Sequence, residues 1–304
     1  MKTSNKLLLI LFIVILIAAS LTIAVIFNLH KASGKPIKGN GIEKTANRNV
    51  SGYTLLDIAG PFQVIVSLGE KDALRICGDS NILSYIKTKV ENGTLYIFSG
   101  QSIVPQLPVR IEIETNNVYN LILWSTKAVS IKNIDNKNFN ILLNGTGSVE
   151  ASGKTGNLKI ECNGNGNIDT ESLKAENVDI TLFGEGKIET LAMQNLEVTI
   201  SGAGSFTATG KTKHLKITCS GAGSIDTRKL LAHDASIILN GAATADISAS
   251  EKLNINISGL GKVIYYGRPK KVDQKITGLG KIIDGDRTLN AERRTKRITI
   301  TNNN

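Results

Sequence analysis

Between Asn144 and Ile282 a short phrase returns eight times: NGTGSV at Asn144, NGNGNI at Asn163, FGEGKI at Phe183, SGAGSF at Ser201, SGAGSI at Ser220, NGAATA at Asn240, SGLGKV at Ser258 and TGLGKI at Thr277. The leading glycines, from Gly145 to Gly278, are spaced 18 to 20 residues apart. A fixed period of that size is the mark of a stacked repeat. Aligned on the first glycine, apolar residues fall into columns. Two positions before it stand Leu143, Cys162, Leu182, Ile200, Cys219, Leu239, Ile257 and Ile276; four before it, Ile141, Ile160, Ile180, Val198, Ile217, Ile237 and Ile255. Gln274 breaks that second column. Six before it the column begins Phe139, Leu158 and Val178, and four after it Val149, Ile168 and Ile188. Polar residues separate these positions, so each repeat holds at least two strands around a glycine turn. A third apolar segment, such as Leu173 or Leu230, closes the loop.

The pattern predicts an all-β protein: a right-handed parallel β-helix of about 19 residues per coil. Successive coils would stack about 4.8 Å apart, the spacing of hydrogen-bonded strands. Leucine-rich repeats have a similar period, but they need a helical or 3₁₀ return that this pattern lacks. The residue before each first glycine (Asn144, Asn163, Phe183, Ser201, Ser220, Asn240, Ser258, Thr277) forms a polar column suited to hydrogen bonding up the stack. Cys162 and Cys219 share one inward column three repeats apart, roughly 14 Å at that spacing. A disulfide needs Cα atoms within about 7 Å, so both are expected to be free.

Around this repeat lie less regular segments. Residues 1–29 contain the uncharged run Leu7–Phe27, long enough to span a bilayer as a helix and read as a transmembrane anchor. Residues 30–50, with Gly34, Pro36, Gly39 and Gly41, read as a linker. Residues 51–120 alternate apolar and polar positions, as in Phe62, Val64, Val66 and Leu68. They read as an N-terminal β cap, with Asn92-Gly93 as a hairpin turn and Asn81–Val90 as a short helix. Residues 121–284 form the β-helix, opening on a degenerate repeat at Leu121–Ser125, and 285–304 form a basic tail.

Two stretches resemble the bacterial head GIN domain family, described as autotransporter adhesins. One is the repeat Leu-x-Ile-x-x-Ser-Gly-x-Gly-x-Ile. The other is the lead-in from Leu56 to Val66, LDIAGPFQVIV, followed by Asn92-Gly93-Thr94-Leu95. The likeness covers Tyr53 to Ile283. It implies a β-helix on an exported envelope protein and brings no catalytic residues. The chain departs from many members in having a helical anchor and no lipobox or outer-membrane barrel sequence.

Composition narrows the chemistry. Net charge is +10, which favours anionic partners. Three scattered cysteines make neither a disulfide framework nor a zinc site. The Gly-x-Gly phrases lack the following helix of a dinucleotide fingerprint, and calcium-binding nonapeptides need a nine-residue period. His214 and His233 fall in different columns with no third ligand. No cofactor motif is present. One polar column stands out, five positions after the first glycine: Glu150, Asp169, Glu189, Thr207, Asp226 and Asp246. It reads either as a solvated face balanced by lysines or as a cation- or glycan-binding stripe. Residues 268–304 carry ten Lys and Arg against four Asp and Glu, a solvated tail or a contact for anionic wall polymers.

These features together predict a protein of the bacterial cell membrane, single pass, with an extracytoplasmic body. Its expected role is a non-catalytic, adhesin-like binding or scaffold module. Its partners would be cell-wall or surface polysaccharide or another envelope protein, with no nucleic acid. The competing readings are a β-helical polysaccharide-active enzyme and a partner in envelope-stress sensing. Glycoside hydrolysis needs a carboxylate pair at a set separation, and a regular exposed row gives no reason for one carboxyl to be perturbed.

Overall fold

The computed structural model describes residues 35–116 and 118–287. The Leu7–Phe27 run lies outside them, as does most of the basic tail; among the described residues no helix is long and apolar enough to cross a membrane. The fold is an all-β solenoid of about nine turns with about 19 residues per coil. Nine strands come first: β1 (Ile37–Lys38), β2 (Glu43–Arg48), β3 (Leu55–Ala59), β4 (Gln63–Leu68), β5 (Ala73–Asp79), β6 (Ile86–Glu91), β7 (Thr94–Ser99), β8 (Ile103–Val104) and β9 (Arg110–Thr115). The repeats follow as β10 (Asn120–Trp124), β11 (Ala128–Gly145), β12 (Ser148–Gly164), β13 (Asn167–Gly184), β14 (Lys187–Gly202), β15 (Ser205–Gly221), β16 (Ser224–Gly241) and β17 (Thr244–Gly259). The final coil comprises β18 (Lys262–Tyr266), β19 (Lys271–Gly278) and β20 (Lys281–Asp284).

Each coil from β11 to β17 is one long bent strand that pairs in parallel along its length with the coils on either side. The first glycines stack in register, Gly145 on Gly164, Gly184, Gly202, Gly221, Gly241, Gly259 and Gly278. That register places like residues over like, and the columns two, four and six before the glycine are the core: Leu143, Ile160, Ile180, Leu182, Ile200, Ile217 and Leu239 are all at most 2 % exposed. Burying such a side chain contributes roughly 1.5–3 kcal/mol each, so a thin core suffices when every coil repeats it. Cys162 and Cys219 are free and buried, with Leu182 and Ile200 between them in the column. They act as small hydrophobes there.

Coil length is not constant, and the variation is itself periodic. Successive glycine spacings run 19, 20, 18, 19, 20, 18 and 19. The difference is absorbed at one corner, where the ladders slip between Glu150 and Gly153, Thr170 and Ala175, Thr207 and Gly210, and Thr227 and Leu231. The 19-residue coils turn there on Gly153, Gly210 and Gly267, with φ of 127°, 110° and 90°. The 20-residue coils instead bury Leu173 with Ala175, or Leu230 with Ala232; the 18-residue coils bury only Ala192 or Ala249. Buried threonines satisfy the polar groups left by these slips. Thr170 Oγ1 lies 2.9 Å from Thr190 Oγ1, and Thr212 Oγ1 donates to the Gln194 carbonyl at 2.6 Å.

The N-terminal strands extend the same stack but admit antiparallel pairs. β3 and β4 pair in parallel with β10 and β11, and β7 and β9 lie beyond them. β5 runs antiparallel to β9, and β6 antiparallel to β7 through the Asn92-Gly93 turn, whose φ values of 50° and 74° suit a tight hairpin. Two expectations are corrected here. Within Asn81–Val90, expected as a helix, Ile86–Glu91 is a strand, because its hairpin partner Thr94–Ser99 supplies a full ladder. Within residues 30–50, expected as a linker, β1 pairs with β8 and β2 with β5. The buried Asp79 carboxylate holds that edge: Oδ1 accepts from the Gly41 amide at 2.7 Å, and Oδ2 accepts from Gln106 and Leu107 at 3.0 and 3.1 Å. Glu43–Arg48 is an exposed edge strand without apolar alternation, so nothing in its sequence marks it.

Two measurements follow from this geometry. Gly221 has φ of 147°, and a Cβ there would lie 2.1 Å from the Gly202 carbonyl oxygen. Gly221→Ala should therefore lose at least about 2 kcal/mol in urea unfolding followed by circular dichroism. Gly223→Ala should lose much less, since Ala243 already occupies the equivalent place. Asp79→Ala strands three backbone N–H groups, and should cost about 3 kcal/mol or more while opening residues 37–48 to limited proteolysis. Unchanged protection of that segment would show that the carboxylate does not hold it.

Candidate functional site

Residues five after the first glycine share one outer face, so Glu150, Asp169, Glu189, Thr207, Asp226 and Asp246 are consecutive in register. The row is not uniform. Thr207 divides it, and Arg228 engages the far half: its Nε and Nη2 donate to Asp226 at 3.0 and 2.5 Å, and its Nε lies 3.6 Å from Asp246. The Arg228 hydrogen bonds hold the Asp226 carboxyl below its ordinary pKa, while burial pushes that of Asp246 up. In the near half, Lys187 lies 2.9 Å from Glu189, and Asp169 accepts from the Glu171 amide at 2.9 Å. Glu150, Asp169 and Glu189 line a shallow depression with Ser130, Ser148 and Asn167. Among the described residues no group of three or more His, Cys, Asp or Glu is placed to hold a metal ion.

The larger concavity lies elsewhere. A groove of about 750 Å³ runs along the solenoid axis from Asn138 and Asn140 to Lys252 and Asn254. One wall is a ladder of amides seven positions before the first glycine. Asn157 Nδ2 donates to Asn138 Oδ1 at 2.7 Å, Asn177 to Asn157 at 2.9 Å and Asn195 to Asn177 at 2.6 Å. His214 and Asp234 continue the column, with His214 Nδ1 3.8 Å from Asp234 Oδ2. The other wall carries Lys159, Asp179, Glu197, Lys216 and Ser236; Leu158, Val178, Leu196 and Leu215 lie between the walls with their side chains buried in the core. Lys216 Nζ and Glu197 Oε1 are 2.6 Å apart. Three lysines (159, 216, 252) face three carboxylates (Asp179, Glu197, Asp234), so the groove is neutral when His214 is uncharged.

This ladder was not anticipated. The column expected to ladder, beginning at Asn144, contributes one rung among the described hydrogen bonds, Asn163 Nδ2 to Asn144 Oδ1 at 3.0 Å. Phe183, 46 % exposed, breaks the column next. The signal lay six positions earlier, where Asn138, Asn157, Asn177 and Asn195 recur at the repeat spacing. Each of the two middle rungs spends one N–H and one acceptor on its neighbours, leaving a second N–H and lone pair for a ligand.

An all-β solenoid of this kind belongs to the class of quasi-one-dimensional repeat proteins, in which coil repetition sets the spacing of exposed groups. The chain belongs to the family described as "putative auto-transporter adhesin, head GIN domain", whose model matches residues 52–206 and 187–269. Its fold is shared by a "putative lipid binding protein" from Parabacteroides distasonis (21 % identity, TM-score 0.65, 82 % of this chain and 100 % of that one). It is shared also by putative adhesins from P. distasonis (18 %, TM-score 0.62, 82 % and 99 %) and P. merdae (18 %, TM-score 0.61, 83 % and 100 %). No curated protein matches.

The Asp226–Arg228 pair makes a pH prediction. A carboxylate whose folded pKa is depressed adds stability that is present above its unfolded value, near 3.9, and lost as pH falls through the folded value. The Asp226 side chain is 37 % exposed, so solvent screening limits the effect to less than about 1 kcal/mol. Arg228→Met should be slightly less stable than the native chain at pH 7, and the difference should shrink below about pH 4. Urea midpoints between pH 2 and 7 check this; a gap constant with pH would mean the arginine acts by packing alone.

Proposed function

We propose that this chain is a non-catalytic, adhesin-like binding module of the bacterial envelope, held at the membrane by Leu7–Phe27 with its body outside. The observation that carries the reading is the axial groove with its amide ladder. Amides fixed at each coil step, about 4.8 Å apart, present donors and acceptors at the scale on which a linear polysaccharide repeats its hydroxyls. The groove's balanced charge favours a neutral glycan strand over an anionic wall polymer. Family membership and the adhesin descriptions of the structural neighbours support a surface role. The face of Glu150, Asp169 and Glu189 serves as a second polar contact, whereas Asp226 and Asp246 are engaged by Arg228.

A glycan array probed with the purified chain, with a reducing-sugar assay on the glycans retained, tests this. Neutral linear glycans should bind without release of new reducing ends. Asn157→Ala with Asn177→Ala should weaken binding at least about tenfold, the loss of more than one hydrogen bond, while leaving the circular dichroism spectrum unchanged. Turnover, or binding indifferent to the two asparagines, would sink the reading.

A further inference from the structure

Among the described residues the solenoid is covered at one end and open at the other. At the N-terminal end, antiparallel strands lie over the first coils. At the far end, among the described residues, β19 pairs only with β17 and β20 only with β18. Positions that are core in every earlier coil are open there: Gln274 and Ile276 lie over Ile255 and Ile257, and Ile276 is 44 % exposed. Solenoids require their terminal coil to be covered, and a bare strand edge is a template for pairing.

The direction of the backbone groups defines that edge. Asn140, an outward residue, donates its amide to the Tyr119 carbonyl of the preceding coil. Carried along the register, outward residues bond backward and inward residues bond forward. Among the described residues, the N–H and C=O groups of β19 that point away from β17 therefore belong to Val272, Gln274 and Ile276. An antiparallel partner needs the same set on its own edge, which a second copy supplies.

We propose that two copies of this chain join end to end through β19, antiparallel, about a two-fold axis at Gln274. Centred there, Val272 faces the partner's Ile276 and Gln274 faces the partner's Gln274, which gives about six backbone hydrogen bonds from hydrogen-bonded pairs alone. Asp273 falls opposite the partner's Lys275, and Lys275 opposite the partner's Asp273. These are the non-hydrogen-bonded positions, where side chains approach most closely and opposite charges stabilise. The strand is thus self-complementary in backbone, core and charge, as a two-fold interface must be. Centring on Ile276 would instead set Asp273 against the partner's Leu279. Gln274, which breaks an otherwise apolar column, becomes the residue on the axis, able to pair its amide with its own copy. The pairing sets the two N-terminal sections at opposite extremes of one long rod. It does not depend on what the groove binds.

Cysteine linking and charge reversal on the full chain in detergent micelles test this. Gln274→Cys should give a disulfide dimer on mild oxidation, whereas Lys271→Cys, far from its own copy, and the native chain should not. Asp273→Lys should weaken the dimer at least about tenfold by sedimentation, and Asp273→Lys with Lys275→Asp should restore it. Circular dichroism establishes that each variant is folded. A monomer at every concentration, equal linking from position 271, or indifference to charge reversal would overturn the proposal. So would a monomer whose β19 amides exchange slowly with solvent, because residues 288–304 of the same chain would then cover the edge.

Discussion

The structure depends on how closely one coil can lie on the next at the first glycine. From Gly164 to Gly278, a Cβ at this position would come within 2.1 to 2.7 Å of a carbonyl oxygen in the coil below. The same residues have φ between 115° and 147°, which side chains disfavour. The reward for that approach is a turn whose amides bond to the previous turn, as Ala222 does to Gly202 and Ser224 to Gly204, both at 3.0 Å. With the turns locked in register, every other column follows: aliphatic over aliphatic within, polar over polar without. The second glycine is held less tightly, which is why one repeat carries Ala243 there.

A stack of identical coils would be straight and uniform; this one is not. The glycine turn and the strand before it are constant, and the corner after Glu150, Asp169 and their equivalents absorbs one residue more or less. A longer coil fills that corner with leucine and a shorter one with alanine, so the interior stays filled while the outline changes. The 57-residue recurrence of Gly153 at Gly210, and of Leu173 at Leu230, shows that three coils, not one, form the larger unit of this sequence.

Such a body holds its surface groups at fixed spacing. Its side chains are fixed by a ladder that extends through the whole solenoid, so a row of amides holds its spacing without ordering cost when a ligand arrives. The groove combines that row with balanced charge, and the acidic face on another side is partly neutralised by Arg228. Family membership is in keeping with a surface role.

The sequence alone determined the repeat, its period, the inward columns and the family, because each of these is written in recurrence at fixed spacing. It also placed Cys162 and Cys219 out of reach of each other, since one residue per coil in one column sets their separation. Tertiary structure decided what recurrence could not show. The Asn138–Asn195 ladder became a groove wall beside Lys159 to Lys216 once the coils were stacked in register. Arg228 claimed Asp226 and Asp246 through a side chain two residues off their column. Glu43–Arg48 and Ile37–Lys38 became strands because a buried Asp79 holds the chain near Gly41 and the loop at Gln106 together, across 27 to 38 residues of sequence. Contacts of that reach leave no local period to read; they exist only when the coils beneath them are already in place.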